Sequence, residues 1–145
     1  MRLLFLIILF IVFPLNSKAQ SKQQTDILNS FIEAHNIGSE SSVTSFIKKT
    51  YKPEVYKNIN LKDHVNFYFQ IINEFGLLSH MVYKEIEISP TNYVVHLIKK
   101  EDELNENFIK PEDILVVKID LVNEGSKFMP HGLGLGSLIC EQRER

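Results

Sequence analysis

The sequence predicts an α+β domain in which about three helices pack on one face of a four-stranded antiparallel sheet. Apolar residues recur with a period of about 3.6 as far as Phe75, which indicates helices, and alternate with period 2 from Leu77 onward, which indicates strands. Helices followed by strands are typical of α+β domains. No internal repeat or linker divides the chain, so we expect a single domain over residues 20–145.

An N-terminal leader precedes this domain. The unbroken apolar run Leu3–Phe13 follows Arg2, and Ser17 and Ala19 supply the small residues of a cleavage site. These features predict a signal peptide over residues 1–19 and an exported protein, periplasmic or secreted. The 11 apolar residues, rising ~1.5 Å each, cover about half of a ~30 Å hydrocarbon core, so we expect no stable membrane span after cleavage. Retention of the leader as an uncleaved anchor stays open.

The first predicted helix carries one apolar face and ends at Gly38, because glycine closes helices by adopting a left-handed conformation. Its inward positions are Ile27, Leu28, Phe31, Ile32 and His35. A second, shorter helix begins at the serines Ser39, Ser41 and Ser42, whose hydroxyls can cap it, and ends at Lys52-Pro53. Its inward positions are Val43, Phe46, Ile47 and Tyr51.

The third predicted helix is the longest. A turn over Pro53–Tyr56 precedes it, Asn60 with Asp63 three residues later caps its start, and Gly76 ends it. Its inward positions are Leu61, Val65, Tyr68 or Phe69, Ile72 and Phe75.

The strand-like runs are Ser79–Ile88, Tyr93–Lys100, Ile114–Val122 and about Phe128–Cys140. Ser89-Pro90-Thr91-Asn92 is a turn signal, so the first two runs should form an antiparallel hairpin. An acidic connection, Glu101–Glu112, leads to the third run, and Glu124-Gly125-Ser126 is the next turn. One face of the third run is apolar: Leu115, Val117, Ile119 and Leu121.

Composition excludes several classes of function. The chain has 16 Lys plus Arg against 18 Asp plus Glu, and 13 of those cations are Lys, so a nucleic-acid partner is not expected. Removal of the leader leaves 14 cations and 18 acids, a mildly acidic balance that suits solubility. With a single cysteine, Cys140, the protein cannot form an intramolecular disulfide; we interpret Cys140 as a small buried residue or the site of an intermolecular disulfide.

Three short patterns suggest chemistry but are better explained structurally. Gly132, Gly134 and Gly136 lack the spacing of a nucleotide-binding loop, so we interpret them as positions where a helix lies close to the sheet or the strand bends. Ser45 and Lys48 form an S-x-x-K, and Tyr56-Lys57-Asn58 a Y-x-N, but the K-T-G strand of serine β-lactamases is absent. The histidines are too scattered for a metal site, so no metal, cofactor or catalytic set is predicted.

The candidate ligand-binding residues are His96, Asp120 and His131. His96 lies on the predicted hairpin, Asp120 on the mixed face of the third strand beside Lys118, and His131 beside the glycine-rich run. Imidazole and carboxylate groups lining one cavity can share acid–base work, so these residues are also the candidates for catalysis if the domain is an enzyme.

The stretch Ile32-Glu33-Ala34-His35-Asn36-Ile37-Gly38, then Val43, Phe46-Ile47 and Tyr51-Lys52-Pro53, and later His131-Gly132-Leu133-Gly134-Leu135, resembles a known domain. This is the small domain found ahead of serine hydrolase (β-lactamase-related) and tail-specific protease domains in secreted bacterial proteins. The resemblance covers about residues 25–140. It implies a cystatin-like, nuclear-transport-factor-2-like (polyketide-cyclase-like) roll, a curved antiparallel sheet around helices, and it supplies no catalytic positions. No hydrolase domain follows in this chain, so hydrolase activity is not implied.

The sequence therefore predicts an exported, non-enzymatic roll domain that binds a protein partner or a small apolar ligand in the concavity between helices and sheet. Two alternatives stay open. One is an enzyme of the isomerase or cyclase type with an Asp/His pair inside the cone. The other is an accessory subunit of a separately encoded envelope hydrolase.

Overall fold

The computed structural model describes residues 22–52, 59–105, 109–124 and 127–137, with side chains described as far as residue 121. Its helices are α1 (Lys22–Ile37), α2 (Glu40–Thr50) and α3 (Leu61–Phe75). Its strands are β1 (Lys84–Ile88), β2 (Asn92–Leu97), β3 (Leu115–Glu124) and β4 (Lys127–Ser137). The predicted leader, the Pro53–Tyr56 turn and Cys140 lie outside the described residues.

Capping groups fix the helix ends where the sequence predicts them. The Ser39 hydroxyl accepts the Ser42 N–H at 3.1 Å at the start of α2, and Asn60 Oδ1 accepts the Asp63 N–H at 2.9 Å at the start of α3. Gly38 and Gly76 follow α1 and α3 with φ of 64° and 63°, a region that favours glycine. The predicted boundaries of all three helices are confirmed to within a few residues.

The strands pair antiparallel in the order β1-β2-β3-β4. The predicted turn joins β1 to β2: the Ser89 N–H donates to the Asn92 carbonyl at 2.8 Å, and Ser89 Oγ accepts the Asn92 N–H at 2.8 Å. Val95 lies opposite Val117, which in turn lies opposite Leu135. The prediction of an α+β fold, with three helices before an antiparallel sheet, is confirmed.

The core lies between the helices and one face of the sheet. On β3 the apolar face is the predicted one, and β2 contributes Tyr93, Val95 and Leu97. The helical side of this core consists of Ile27, Leu28, Phe31, Ile32, Ala34, Val43, Phe46, Ile47, Tyr51, Val65, Tyr68, Ile71 and Phe75. The inward face of α3 differs slightly from the prediction, because Ile71 is buried and Ile72 only partly buried, and because His64 is buried as well.

The first strand is shorter than predicted. Only Lys84–Ile88 pairs regularly with β2, whereas the sequence predicts a strand from Ser79. The cause is a local turn, in which Ser79 Oγ accepts the Met81 N–H at 2.9 Å. A second irregularity, a register shift between Glu85 and Glu87, interrupts the pairing within β1, and such bulges discourage further strand pairing at a sheet edge.

Candidate functional site

The structure places His96 and Asp120 on the sheet face opposite the helices. The core residues Val95 and Val117 face the helices, so their neighbours along each strand face away. Asp120 pairs with Asn92, four positions from His96, a separation of about 13 Å along the strands. The two side chains therefore do not form an acid–base pair inside the helix–sheet interior, contrary to the arrangement expected for an isomerase-like or cyclase-like enzyme.

Asp120 has local polar partners. Lys118 Nζ lies 3.5 Å from Asp120 Oδ2, and with its amide nitrogen turned toward Asp120, Asn92 donates to Oδ1 at 2.9 Å. These contacts are those of a half-exposed surface carboxylate. His131 lies at a register shift of β4, between Pro130 opposite Leu121 and Gly132 opposite Asp120, and its side chain is outside the described part. Ligand binding by His96, Asp120 and His131 stays a prediction.

The alternate glycines of β4 do not face the helices. Gly132, Gly134 and Gly136 lie opposite Asp120, Lys118 and Val116, which are on the outer face of the sheet. The interpretation that they bring a helix close to the sheet is therefore wrong for α1–α3, because these helices cover the other face. The alternative interpretation, a bend in the strand, agrees with the register shift between Asp120 and Leu121.

Neither of the other sequence patterns assembles a reactive group among the described residues. Ser45 and Lys48 are both exposed on the outer side of α2, and Tyr56-Lys57-Asn58 is outside the described ranges. Within those ranges no three His, Cys, Asp or Glu side chains come together as a metal site would require.

Several polar contacts join the end of α1 to the segment that follows α3. Asn36 uses its whole amide group there: Nδ2 donates to the Leu78 carbonyl at 2.9 Å, and Oδ1 accepts the Leu78 N–H at 2.8 Å. This pair of bonds imitates the pairing of a β-strand, and Leu78 itself is fully buried. The side chain of a helix thus holds the backbone of a non-helical segment in place.

His35 holds the start of the same segment. Its Nε2–H donates to the Gly76 carbonyl at 2.7 Å, and its ring is buried against Phe31, with ring centroids 5.7 Å apart. Burial lowers the pKa of His35 below its ordinary value of 6.5, although the bond to the Gly76 carbonyl acts in the opposite direction. The imidazole is therefore neutral at pH 7, with its proton on Nε2.

The opposite side of the segment is joined to the chain beyond β2. The Lys100 N–H donates to the Leu77 carbonyl at 2.8 Å, and the Ser79 N–H donates to the Ile98 carbonyl at 2.9 Å. Further along, the Tyr83 N–H donates to the His96 carbonyl at 3.0 Å. We call residues 76–83, held between α1 and these carbonyl and amide groups, the clamped loop.

The clamped loop exposes large apolar side chains although its backbone is held firmly. Leu77 is 57% exposed and Met81 61% exposed, and Tyr83 is also exposed. Beside Leu77 is a cleft of ≈ 360 Å³ lined by Phe75, Gly76, Leu77, Lys100 and Glu101. Exposed apolar groups on a rigid backbone are a usual feature of binding surfaces, since a partner can cover them without first ordering the loop.

The acidic residue Glu101 lines this cleft together with Lys100, and two further acidic residues follow it in the chain. Glu101 and Asp102 belong to the single-turn 3-10 helix Lys100–Asp102, and Glu103 and Leu104 follow it. Leu104 is 94% exposed, which makes it the most exposed large apolar side chain in the described part of the chain. An apolar surface next to three carboxylates favours a partner that combines apolar and basic groups.

A second polar group lies within the helical layer. The hydroxyls of Tyr51 and Tyr68 form a hydrogen bond of 3.0 Å, and the His64 ring packs edge-on against Tyr51 with centroids 4.6 Å apart. All three side chains are buried, and burial lowers the pKa of His64. This cluster joins the end of α2 to α3 and is a structural feature of the core.

Sequence reasoning overlooked the clamped loop. The sequence predicts correctly that His35 lies on the apolar face of the first helix, but it indicates no role for Asn36 and predicts a strand from Ser79. The only signal in the sequence for this loop is a buried histidine followed by asparagine at a helix end. What these two side chains bind depends on which backbone groups the fold places next to them.

Comparisons of the chain with protein-family models, curated proteins and solved structures find no match. None of the helices in the described ranges is both long and apolar enough to cross a membrane.

Proposed function

We propose that this protein is an exported, non-enzymatic domain that binds a protein partner through the clamped loop. The observation that carries the proposal is the combination of Leu77 and Met81, both more than half exposed, with a backbone fixed by Asn36 and His35. Apolar side chains exposed close together and bordered by polar residues are typical of protein-binding surfaces.

The partner that fits this surface presents an apolar side chain flanked by lysine or arginine. The apolar group would enter the cleft beside Leu77, and the basic groups would lie near Glu101, Asp102 and Glu103. The same chemistry predicts that raising the salt concentration weakens binding, since exposed charge pairs are screened.

The packing of the interior favours a protein partner over a small ligand. Phe31, Ile47, Val95 and Val117 are fully buried where a ligand in the helix–sheet concavity would lie. The outward-facing positions of His96 and Asp120 likewise favour a binding domain over the isomerase-like or cyclase-like alternative. The curved cystatin-like roll is part of the proposal, and an accessory role beside a separately encoded hydrolase is compatible with it.

Site-specific photocrosslinking tests the binding surface. A photoreactive amino acid replaces Leu77 in one protein and Phe67, an exposed aromatic residue on α3, in a matched control. Each photoreactive protein is incubated with envelope or culture-supernatant proteins from the cells that produce it. We expect a defined adduct from position 77 that is absent at position 67 and that is competed by unlabelled wild-type protein.

Paired variants identify specific binding. Unlabelled Leu77→Asp protein should not compete for the adduct, whereas unlabelled Phe67→Asp protein should compete as the wild type does. An adduct that forms equally from both positions, or one that Leu77→Asp still competes away, contradicts the proposal, as does the absence of any adduct at position 77.

Export is tested separately by the mass of the mature protein. Cleavage after Ala19 should yield a chain that begins at Gln20. A mass that retains residues 1–19 refutes the cleaved signal peptide.

A further inference from the structure

His35 has an asymmetric environment that makes the clamped loop sensitive to protonation. The imidazole donates from Nε2 to the Gly76 carbonyl, whereas its Nδ1 is buried and has no hydrogen-bond partner among the described residues. In the neutral ring Nδ1 carries a lone pair, and burying it costs little beside burying a charge. A proton on Nδ1 would create both a buried charge and a donor that lacks an acceptor.

The charged groups near His35 do not compensate a positive charge on its ring. Within the described contacts, the His35 ring meets the Phe31 ring on α1 and the Gly76 carbonyl after α3. Lys100 and Glu101, which line the neighbouring cleft, carry opposite charges. Other titratable groups in or beside the loop are exposed (Glu74, His80, Tyr83 and Lys84), and His96 contributes its backbone carbonyl, which accepts the Tyr83 N–H.

We propose that protonation of His35 releases the clamped loop, so that the loop is held at neutral pH and opens in a mildly acidic environment. The charged ring must turn toward water, which breaks its bond to Gly76, because the buried position offers Nδ1–H no acceptor. The two bonds from Asn36 to Leu78 then hold the loop without the bond from His35 to Gly76. Regulation of partner binding by this release rests on the proposed function, whereas the release itself is a property of the fold.

The direction of the effect follows from linkage. Burial lowers the pKa of His35 in the closed state, and in the open state the solvated ring regains a value near 6.5. Below pH 6.5 the open state therefore binds a proton that the closed state does not. The ratio of open to closed molecules rises roughly fivefold from pH 6.5 to 5.5 and approaches tenfold per pH unit below that, until the closed state also becomes protonated.

Hydrogen exchange measured by mass spectrometry tests the release without any partner. The peptide that covers residues 76–84 contains the donating amides of Leu78, Ser79, Met81 and Tyr83. After correction for intrinsic exchange rates, we expect its protection in the wild type to fall roughly fivefold between pH 6.5 and 5.5. Peptides from β2 and β3 should keep their protection over the same range.

Glutamine substitutions separate His35 from the other histidines. The side-chain amide introduced by His35→Gln can still donate to the Gly76 carbonyl but does not titrate, so protection of the loop should become independent of pH. His80→Gln and His96→Gln should retain the wild-type dependence. Wild-type protection that does not change with pH, an unchanged dependence in His35→Gln, or an equal loss in β2 and β3 each overturn the inference.

A titration of the wild-type ring keeps the inference testable if His35→Gln does not fold. The imidazole nitrogen resonances of His35 should show a proton on Nε2 at pH 7 and a titration midpoint below 6.5. A doubly protonated ring at pH 7, or a midpoint at or above 6.5, overturns it. Because neither measurement uses a partner, loop release can stand when the proposal of a binding partner fails. Partner binding that does not depend on pH would refute only the regulatory role of the release.

Discussion

Replacing Asn36 by alanine tests whether a single side chain fixes the clamped loop. The substitution removes the two hydrogen bonds, of 2.9 and 2.8 Å, that join Asn36 to the Leu78 backbone. Each bond contributes about 1 kcal/mol net, and leaving a buried amide or carbonyl unsatisfied adds about 1 kcal/mol or more. Leu78 is fully buried, so water replaces these bonds poorly. We expect the free energy of unfolding to fall by about 3 kcal/mol.

The measurement is urea unfolding followed by circular dichroism, with thermal unfolding as a second measure. For a domain of this size a loss of about 3 kcal/mol lowers Tm by roughly 10 °C. Asn29→Ala is the matched control, because Asn29 is exposed on the same helix. Both substitutions replace asparagine by alanine within α1, so most of the difference between the two variants reflects the bonds to Leu78. A difference below about 1 kcal/mol would refute the reasoning.

Three further predictions concern other polar contacts. Tyr68→Phe removes the hydroxyl bonded to Tyr51, and a double-mutant cycle with Tyr51→Phe should give a coupling energy of about 1 kcal/mol in urea unfolding; additive effects would show that the bond contributes nothing. Burial lowers the pKa of His64, so as the pH falls below about 6.5 the unfolded chain binds a proton at this residue before the folded chain does. The stability of the wild type should therefore decline relative to that of His64→Gln from pH 7.5 to 5.5. A constant difference between these two proteins would contradict this. Lys99→Met breaks a 2.7 Å ion pair with Asp113 that raises the pKa of Lys99. Because the pair is partly exposed, we expect the free energy of unfolding to fall by less than about 1 kcal/mol, and by less still in 1 M NaCl. A loss that does not shrink in salt would show that the contact is not electrostatic.

The helices could be predicted from the sequence because their signals are local. The Ser39 and Asn60 caps and the positive-φ glycines Gly38 and Gly76 act within one turn of the chain. The apolar face of β3 could be predicted for a similar reason, since alternation decides which side chains share a face. The start of β1 could not, because the hydroxyl of Ser79 competes with strand pairing through a turn that alternation does not reveal.

The candidate site could not be predicted in the same way. His96 and Asp120 look equally able to line a cavity, and only the register of β2 against β3 shows that they lie on the outer face, four positions apart. For Gly132, Gly134 and Gly136 the sequence shows that one face of a strand is bare but not which face meets the helices. Such assignments depend on pairing between distant segments.

By itself the sequence determined where the helices begin and end, most of the side chains that form the core, and that an antiparallel sheet follows the helices, because periodicity and capping are properties of neighbouring residues. Only the tertiary structure decided what the end of α1 does. His35 and Asn36 lie about 40 residues from Gly76 and Leu78 along the chain, and their polar groups find these backbone partners only when α1 packs against the segment after α3. The Gly76 carbonyl and the Leu78 backbone are satisfied by the side chains that folding brings to them, and those side chains lie on α1.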